Sequence, residues 1–218
     1  MKNIAGQAVR GDNFFERPIL LKQFQHKIQS GSSVLLSAPR RVGKTSLMFH
    51  MQDIGMGGYY FIYLITESVN SRNEFFKRII HKIFDEEFLT PMEKFSKKAA
   101  RTIKDIAARV NEIGTSIKLD KESTIDYHEE FVNLIKTINW QGQTVVIMVD
   151  EFSQTVENII TDEGDTSAVR FLQLNRELRQ EPEINRSVRF VYSGSIGLEN
   201  IVNRLNAIHL INDLDSLS

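Results

Sequence analysis

Short runs of consecutive apolar residues alternate along the chain with longer stretches whose apolar positions recur every three or four residues. Four short runs stand out, at 34–36, 59–65, 144–149 and 188–192, each preceded by glycine, serine or other polar turn residues. They are apolar throughout rather than alternating, which predicts strands of a parallel sheet covered on both faces. Helical spacing predicts helices at 19–28, 75–89, 95–113, 127–138, 169–178 and 198–205. Strands alternating with helices predict an α/β fold with right-handed crossovers. The link from the second run to the third, about 67–143, is too long for one crossover and predicts a helical insertion at about 91–125. Residues 213–218 read as the start of a fifth strand. The expectation is a single unit over 1–218, with helices on both faces of a sheet of about five strands.

The turn after the first strand carries the most specific chemistry. It reads Ala38, Pro39, Arg40, Arg41, Val42, Gly43, Lys44, Thr45 and Ser46, and opens an apolar helix at Leu47. This is the phosphate-loop pattern, with Ala38 where the first glycine usually stands. It makes the predicted fold a three-layer P-loop NTPase core. Backbone N–H groups of such a loop and of the helix start converge on an anion. Gly43 permits close backbone approach, Lys44 reaches the β- and γ-phosphates, and the Thr45 hydroxyl is a ligand for Mg²⁺. Alanine at 38 is compatible with an extended backbone, since only a positive φ demands glycine.

The third strand ends in Asp150 and Glu151. Ligands of parallel sheets bind at this carboxyl edge. Asp150 is expected to hold Mg²⁺ through water, and Glu151 to polarise an attacking water. Neighbours on a strand point to opposite sides, so the two carboxylates have room for different roles. The fourth strand runs into Ser193, Gly194 and Ser195. In P-loop folds with an added catalytic glutamate, one strand is inserted between the loop strand and the acidic strand, and the fourth strand fits that slot. Either Ser193 or Ser195 then faces the γ-phosphate as a sensor.

Charge and cysteine content narrow the partners. Lys and Arg number 27 against 28 Asp and Glu, a net charge of −1, so no global positive field draws nucleic acid to the chain. There is no cysteine, which removes disulfide scaffolds, zinc-thiolate sites and cysteine nucleophiles. No signal-type apolar core opens the chain, and no apolar run is long enough to span a bilayer. A cytoplasmic location without membrane contact is expected. A basic face formed by Lys94, Lys97, Lys98, Arg101 and Lys104 is either a nucleic-acid surface or a solvated helix face. Arg40 and Arg41 either touch phosphate or pair with acids on a partner. Arg170, Arg176, Arg179, Arg186, Arg189 and Arg204 are candidate arginine fingers for a neighbouring subunit. The five histidines lack metal-ligand spacing, and Trp140 reads as a core anchor.

The loop from Ala38 to Leu47, the Val149-Asp150-Glu151-Phe152 segment and Ser193-Gly194-Ser195 together resemble the archaeal-type ATPase family, in the AAA+/STAND group of P-loop ATPases. Upstream, Asn13-Phe14-Phe15-Glu16-Arg17 resembles the family's Phe-x-Gly-Arg-Glu segment, with Glu16 and Pro18 in place of the glycine and glutamate. The resemblance implies ATP as nucleotide, Mg²⁺ as metal, and the 13–17 segment beside the adenine. It also implies a helical lid and a C-terminal module after the core. The chain is therefore expected to be an ATPase core lacking both, with a protein partner or that module as its output and oligomerisation open to it. Two alternatives remain: a nucleotide-sensing or partner-docking module without turnover, and a DNA-associated AAA+ ATPase.

Overall fold

A computed structural model describes residues 8–39, 41–85, 105, 106, 108, 125–138, 140, 142–194 and 197–217. In chain order these form α1 (Pro18–Gln29), β1 (Val34–Ser37), α2 (Lys44–Ile54), β2 (Tyr59–Ile65), α3 (Arg72–Asp85), α4 (Tyr127–Thr137), β3 (Thr144–Asp150), α5 (Phe152–Glu163), α6 (Asp165–Gln180), α7 (Pro182–Asn185), β4 (Val188–Gly194), α8 (Leu198–Arg204) and β5 (Asp215–Leu217). All five strands are parallel, in the order β2-β3-β4-β1-β5. The fourth strand thus lies between the loop strand and the acidic strand, and residues 215–217 complete the sheet. The expected insertion at about 91–125, with its basic positions, falls almost wholly outside the described residues.

Strand alternation sorts the core into two layers. On one face Val34, Leu36, Phe61, Val146, Met148 and Val191 pack with Phe24 and Ile28 of α1 and Leu47, Met48 and Met51 of α2. On the other, Leu35, Ile62, Leu64, Val145, Ile147, Val149, Phe190 and Tyr192 meet α3 through α8. Both faces are covered, which is why the strand runs are uninterruptedly apolar. Among the described residues no helix is long and apolar enough to cross a membrane.

Two helices, α5 and the single turn α7, are not among those predicted from the sequence, and α5 is the longer. Phe152, Val156 and Ile159 fill its core face, but Ser153 and Thr155 are buried with them, and these interrupt the apolar stripe. Thr155 is satisfied by donating to the carbonyl oxygen of Thr66 at 2.7 Å, as a buried hydroxyl requires. Trp140 is buried and donates Nε1–H to the Ile135 carbonyl, anchoring the end of α4.

Candidate functional site

The turn between β1 and α2 is shaped by two residues with positive φ. Gly43 caps α2 at φ 90°. A Cβ there would be strained, and it would also stand 3.3 Å from Nη2 of Arg17. Arg41 has φ 65°, a conformation that costs a side-chain-bearing residue about 1–2 kcal/mol. Strain of this kind collects at ligand sites. Lys44 Nζ donates to the carbonyls of Ala38 at 2.7 Å and Pro39 at 2.9 Å, which draws the ammonium back across the start of the turn. Arg17 Nη2 donates to the Val42 carbonyl at 2.6 Å. The first N–H groups of α2 have no partner within the helix, and with the helix dipole they favour an anion at this end.

The register of the sheet brings the acidic strand to this loop. Leu36 pairs with Ser193, Val149 with Tyr192, and Ile65 with Asp150. Asp150 shares the parity of Val146 and Met148, so its side chain emerges on the α2 face. It is 3% exposed. Thr45 Oγ1 donates to its Oδ2 at 2.7 Å and Tyr63 Oη to the same oxygen at 2.9 Å. Ser193 Oγ donates to Oδ1, which also accepts from the Glu151 backbone N–H at 3.1 Å. Burial first, and then the Asp150 charge, push the Tyr63 phenol well above its usual range, so it remains a donor. Glu151 turns the chain out of the strand at φ 58° and caps the start of α5, which separates it from Asp150 in direction as well as in burial.

Among the described residues no group of three His, Cys, Asp or Glu is placed to hold a metal by itself. The donor set is instead hard oxygen, one hydroxyl beside one carboxylate, as suits Mg²⁺ completed by water and phosphate oxygens. Among the described residues four donors already fill the two oxygens of Asp150. It therefore suits contact with a metal's water rather than a direct bond.

The remaining sequence candidates fall into place unevenly. Arg40 and Ser195 lie outside the described residues. The Ser46 hydroxyl accepts from the Val9 backbone N–H at 3.1 Å, so it faces the N-terminal segment. Arg41 is exposed. The 13–17 segment lies against the loop and α2, where Phe14 stacks on His50 with centroids 4.1 Å apart. A cleft of about 260 Å³ runs along the strand tips from Ser37, Ala38 and Pro39 to Ser193, Gly194 and Leu198. A Cβ on Gly194 would land 1.6 Å from Ser153 Oγ and 2.9 Å from its Cβ, so a larger residue there would force Ser153 to shift. Of the arginine-finger candidates, Arg179 is buried in an ion pair with Asp213 at 2.8 Å and Arg204 pairs with Glu157 at 2.7 Å. Tyr63 was not foreseen. It is one of three tyrosines in β2, and only the register shows which of them meets Asp150.

Comparison with known proteins agrees with this fold. A family model described as Predicted AAA-ATPase, AAA-ATPase-like, matches residues 22–180. The fold is similar to the Walker-type ATPase PABY2304 of Pyrococcus abyssi, with TM-score 0.57 and 14% identity over 96% of this chain and 55% of that one. It is also similar to Cdc6p of Pyrobaculum aerophilum, with TM-score 0.51 and 14% identity over 95% of this chain and 46% of that one. The chain thus spans about half the length of these two structures. A search of curated proteins found no match.

Proposed function

We propose that this chain, which belongs to the AAA-ATPase-like family, binds ATP with Mg²⁺ and hydrolyses the γ-phosphate as a nucleotide-controlled switch. The observation that carries this reading is the 2.7 Å hydrogen bond from Thr45 to Asp150, joining the loop helix to the acidic strand across 105 residues of sequence. The loop from Ala38 to Ser46 cradles the phosphates with its N–H groups, and Lys44 exchanges the carbonyls of Ala38 and Pro39 for phosphate oxygens. Thr45 and Asp150 hold the metal, the first directly and the second through water. Bound Mg²⁺ supplies positive charge to the β- and γ-phosphate oxygens. Glu151 takes a proton from water as the water oxygen bonds to the γ-phosphorus. The bond from that phosphorus to the bridging oxygen breaks, and ADP leaves with the electron pair. Ser193 trades its Asp150 bond for the γ-phosphate and so reports its presence.

In the same reading the chain is an archaeal-type, AAA+/STAND switch in a reducing cytoplasm. Its output is a protein partner or a further C-terminal module, and self-association supplies a trans arginine. The test is calorimetric titration with ATP and Mg²⁺, beside Lys44→Ala. Binding in the unaltered chain that is lost in Lys44→Ala is expected, and equal binding by both would refute the phosphate site. Phosphate release that stops in Glu151→Gln marks an enzyme, whereas binding without release marks a sensor.

A further inference from the structure

The geometry points to Tyr63 as a positioning residue for the metal: it fixes the Asp150 carboxylate while Thr45 and Ser193 engage the ligand. This rests on the proposed function above. Asp150 accepts from three hydroxyls and one N–H, and these four donors are not equivalent. Thr45 belongs to the loop helix, and its oxygen becomes a metal ligand when nucleotide is bound. Ser193 stands at the tip of β4 in the cleft that reaches the start of the loop, and it is the donor that turns to phosphate. Thr45 turns an oxygen lone pair to the metal while its hydrogen stays on Oδ2, so the two donors with no part toward the ligand are one for each carboxylate oxygen: Tyr63 on Oδ2 and the Glu151 N–H on Oδ1. With both retained, the carboxylate plane is set before the metal's water arrives.

Tyr63 is itself held. Its strand pairs with β3 in unbroken register from Tyr59 to Ile65. Its ring stands edge-on to Phe49 of α2 at 4.5 Å, and Arg10 lies over the far ring at 4.0 Å. Arg10 is fixed in turn by Gln52 at 3.0 Å. The phenol is thus aimed by packing that does not involve the ligand. Partners of a direct metal ligand typically affect metal affinity by about 10–100-fold when removed, and Tyr63, acting through a carboxylate that meets the metal's water, takes the low end.

The test is Tyr63→Phe, which keeps the ring against Phe49 and removes only the hydroxyl. Nucleotide binding is titrated against Mg²⁺, and Mn²⁺ binding to the nucleotide-loaded protein is followed by electron paramagnetic resonance. The expected result is a roughly tenfold rise in the Mg²⁺ and Mn²⁺ needed for half-saturation, with ATP affinity in chelator unchanged and only the small fall in melting temperature that losing one hydrogen bond to a carboxylate brings. Unchanged or tighter metal binding overturns the inference while leaving the parent reading intact. A larger fall in melting temperature with metal-free ATP affinity falling in parallel overturns it in favour of a packing role. If the unaltered chain binds no nucleotide, the parent reading fails and takes this inference with it.

Discussion

Tyr192 and Ser193 are neighbours on β4 and serve two different buried polar networks. Tyr192 faces the large apolar layer, where its hydroxyl donates to Asn175 at 3.1 Å and the Arg179 guanidinium lies 5.6 Å from its ring centre. Arg179 donates twice to Asp213, both at 2.8 Å, and to the Leu210 carbonyl at 2.7 Å. That network is closed, since each buried charge has an opposite charge on it. Ser193 faces the α2 layer and Asp150, whose hydrogen-bond donors among the described residues are hydroxyls and one N–H. Both networks are buried and well bonded. What separates them is the kind of donor: a guanidinium on Asp213, hydroxyls and an N–H on Asp150. Pairing is the rule for buried charge, and in the proposed function the metal's charge answers that of Asp150.

This contrast breaks in a definite order. Arg179→Met should have the largest effect on stability, about 3 kcal/mol in denaturant unfolding, because it strands the Asp213 carboxylate. The low end of the usual range applies because Asp213 keeps 21% side-chain exposure. Adding Asp213→Leu should recover most of the loss, since an apolar pair can replace a buried ion pair. Asp150→Asn should do the opposite. Stability should hold or rise slightly, while the Mg²⁺ contribution to ATP binding falls by about 10–100-fold, roughly 1.4–2.8 kcal/mol. A large stability loss in Asp150→Asn would show that the carboxylate is structural after all. Ser193→Ala removes one hydroxyl from that carboxylate and should cost about 1.5 kcal/mol in the same unfolding assay.

The sequence carried the sheet and the loop because both are local. Consecutive apolar residues specify a strand covered on two faces, and the spacing from Ala38 to Thr45 specifies a turn into a helix. The strand order also followed from the extra strand between loop and acidic pair. What was hidden depended on register. Nothing in Tyr59, Tyr60 and Tyr63 distinguishes the tyrosine that meets Asp150 until β2 is aligned on β3. Arg179 read as one of six equivalent arginines, because its partner Asp213 is 34 residues away in sequence. The helix α5 was obscured by Ser153 and Thr155, buried hydroxyls whose environment is supplied by other elements. Arg17, set within a segment associated with the base, was not expected to hold the loop at Val42.

The smallest expected effect tests the closed network on its own. Tyr192→Phe removes one hydroxyl that donates to the neutral Asn175 and stands beside the Arg179 guanidinium, so its cost near neutral pH should be about 1 kcal/mol. Its pH dependence is more telling. Burial pushes the Tyr192 phenol up to about 12, with Arg179 acting in the opposite sense, whereas an unfolded tyrosine titrates near 10. Between those values the unfolded chain has lost a proton that the folded chain keeps. Stability should therefore be intact below pH 10 and fall as pH rises toward 12, by at most about 1.4 kcal/mol per pH unit from this group. Tyr192→Phe should flatten that part of the slope, read from unfolding curves taken between pH 9 and 11. Tyr63, also raised, contributes in the same direction and should leave a residual slope. If Tyr192→Phe leaves the slope unchanged, the phenol titrates equally in both states and the network is open to solvent. The two networks would then no longer differ in the way their donors suggest.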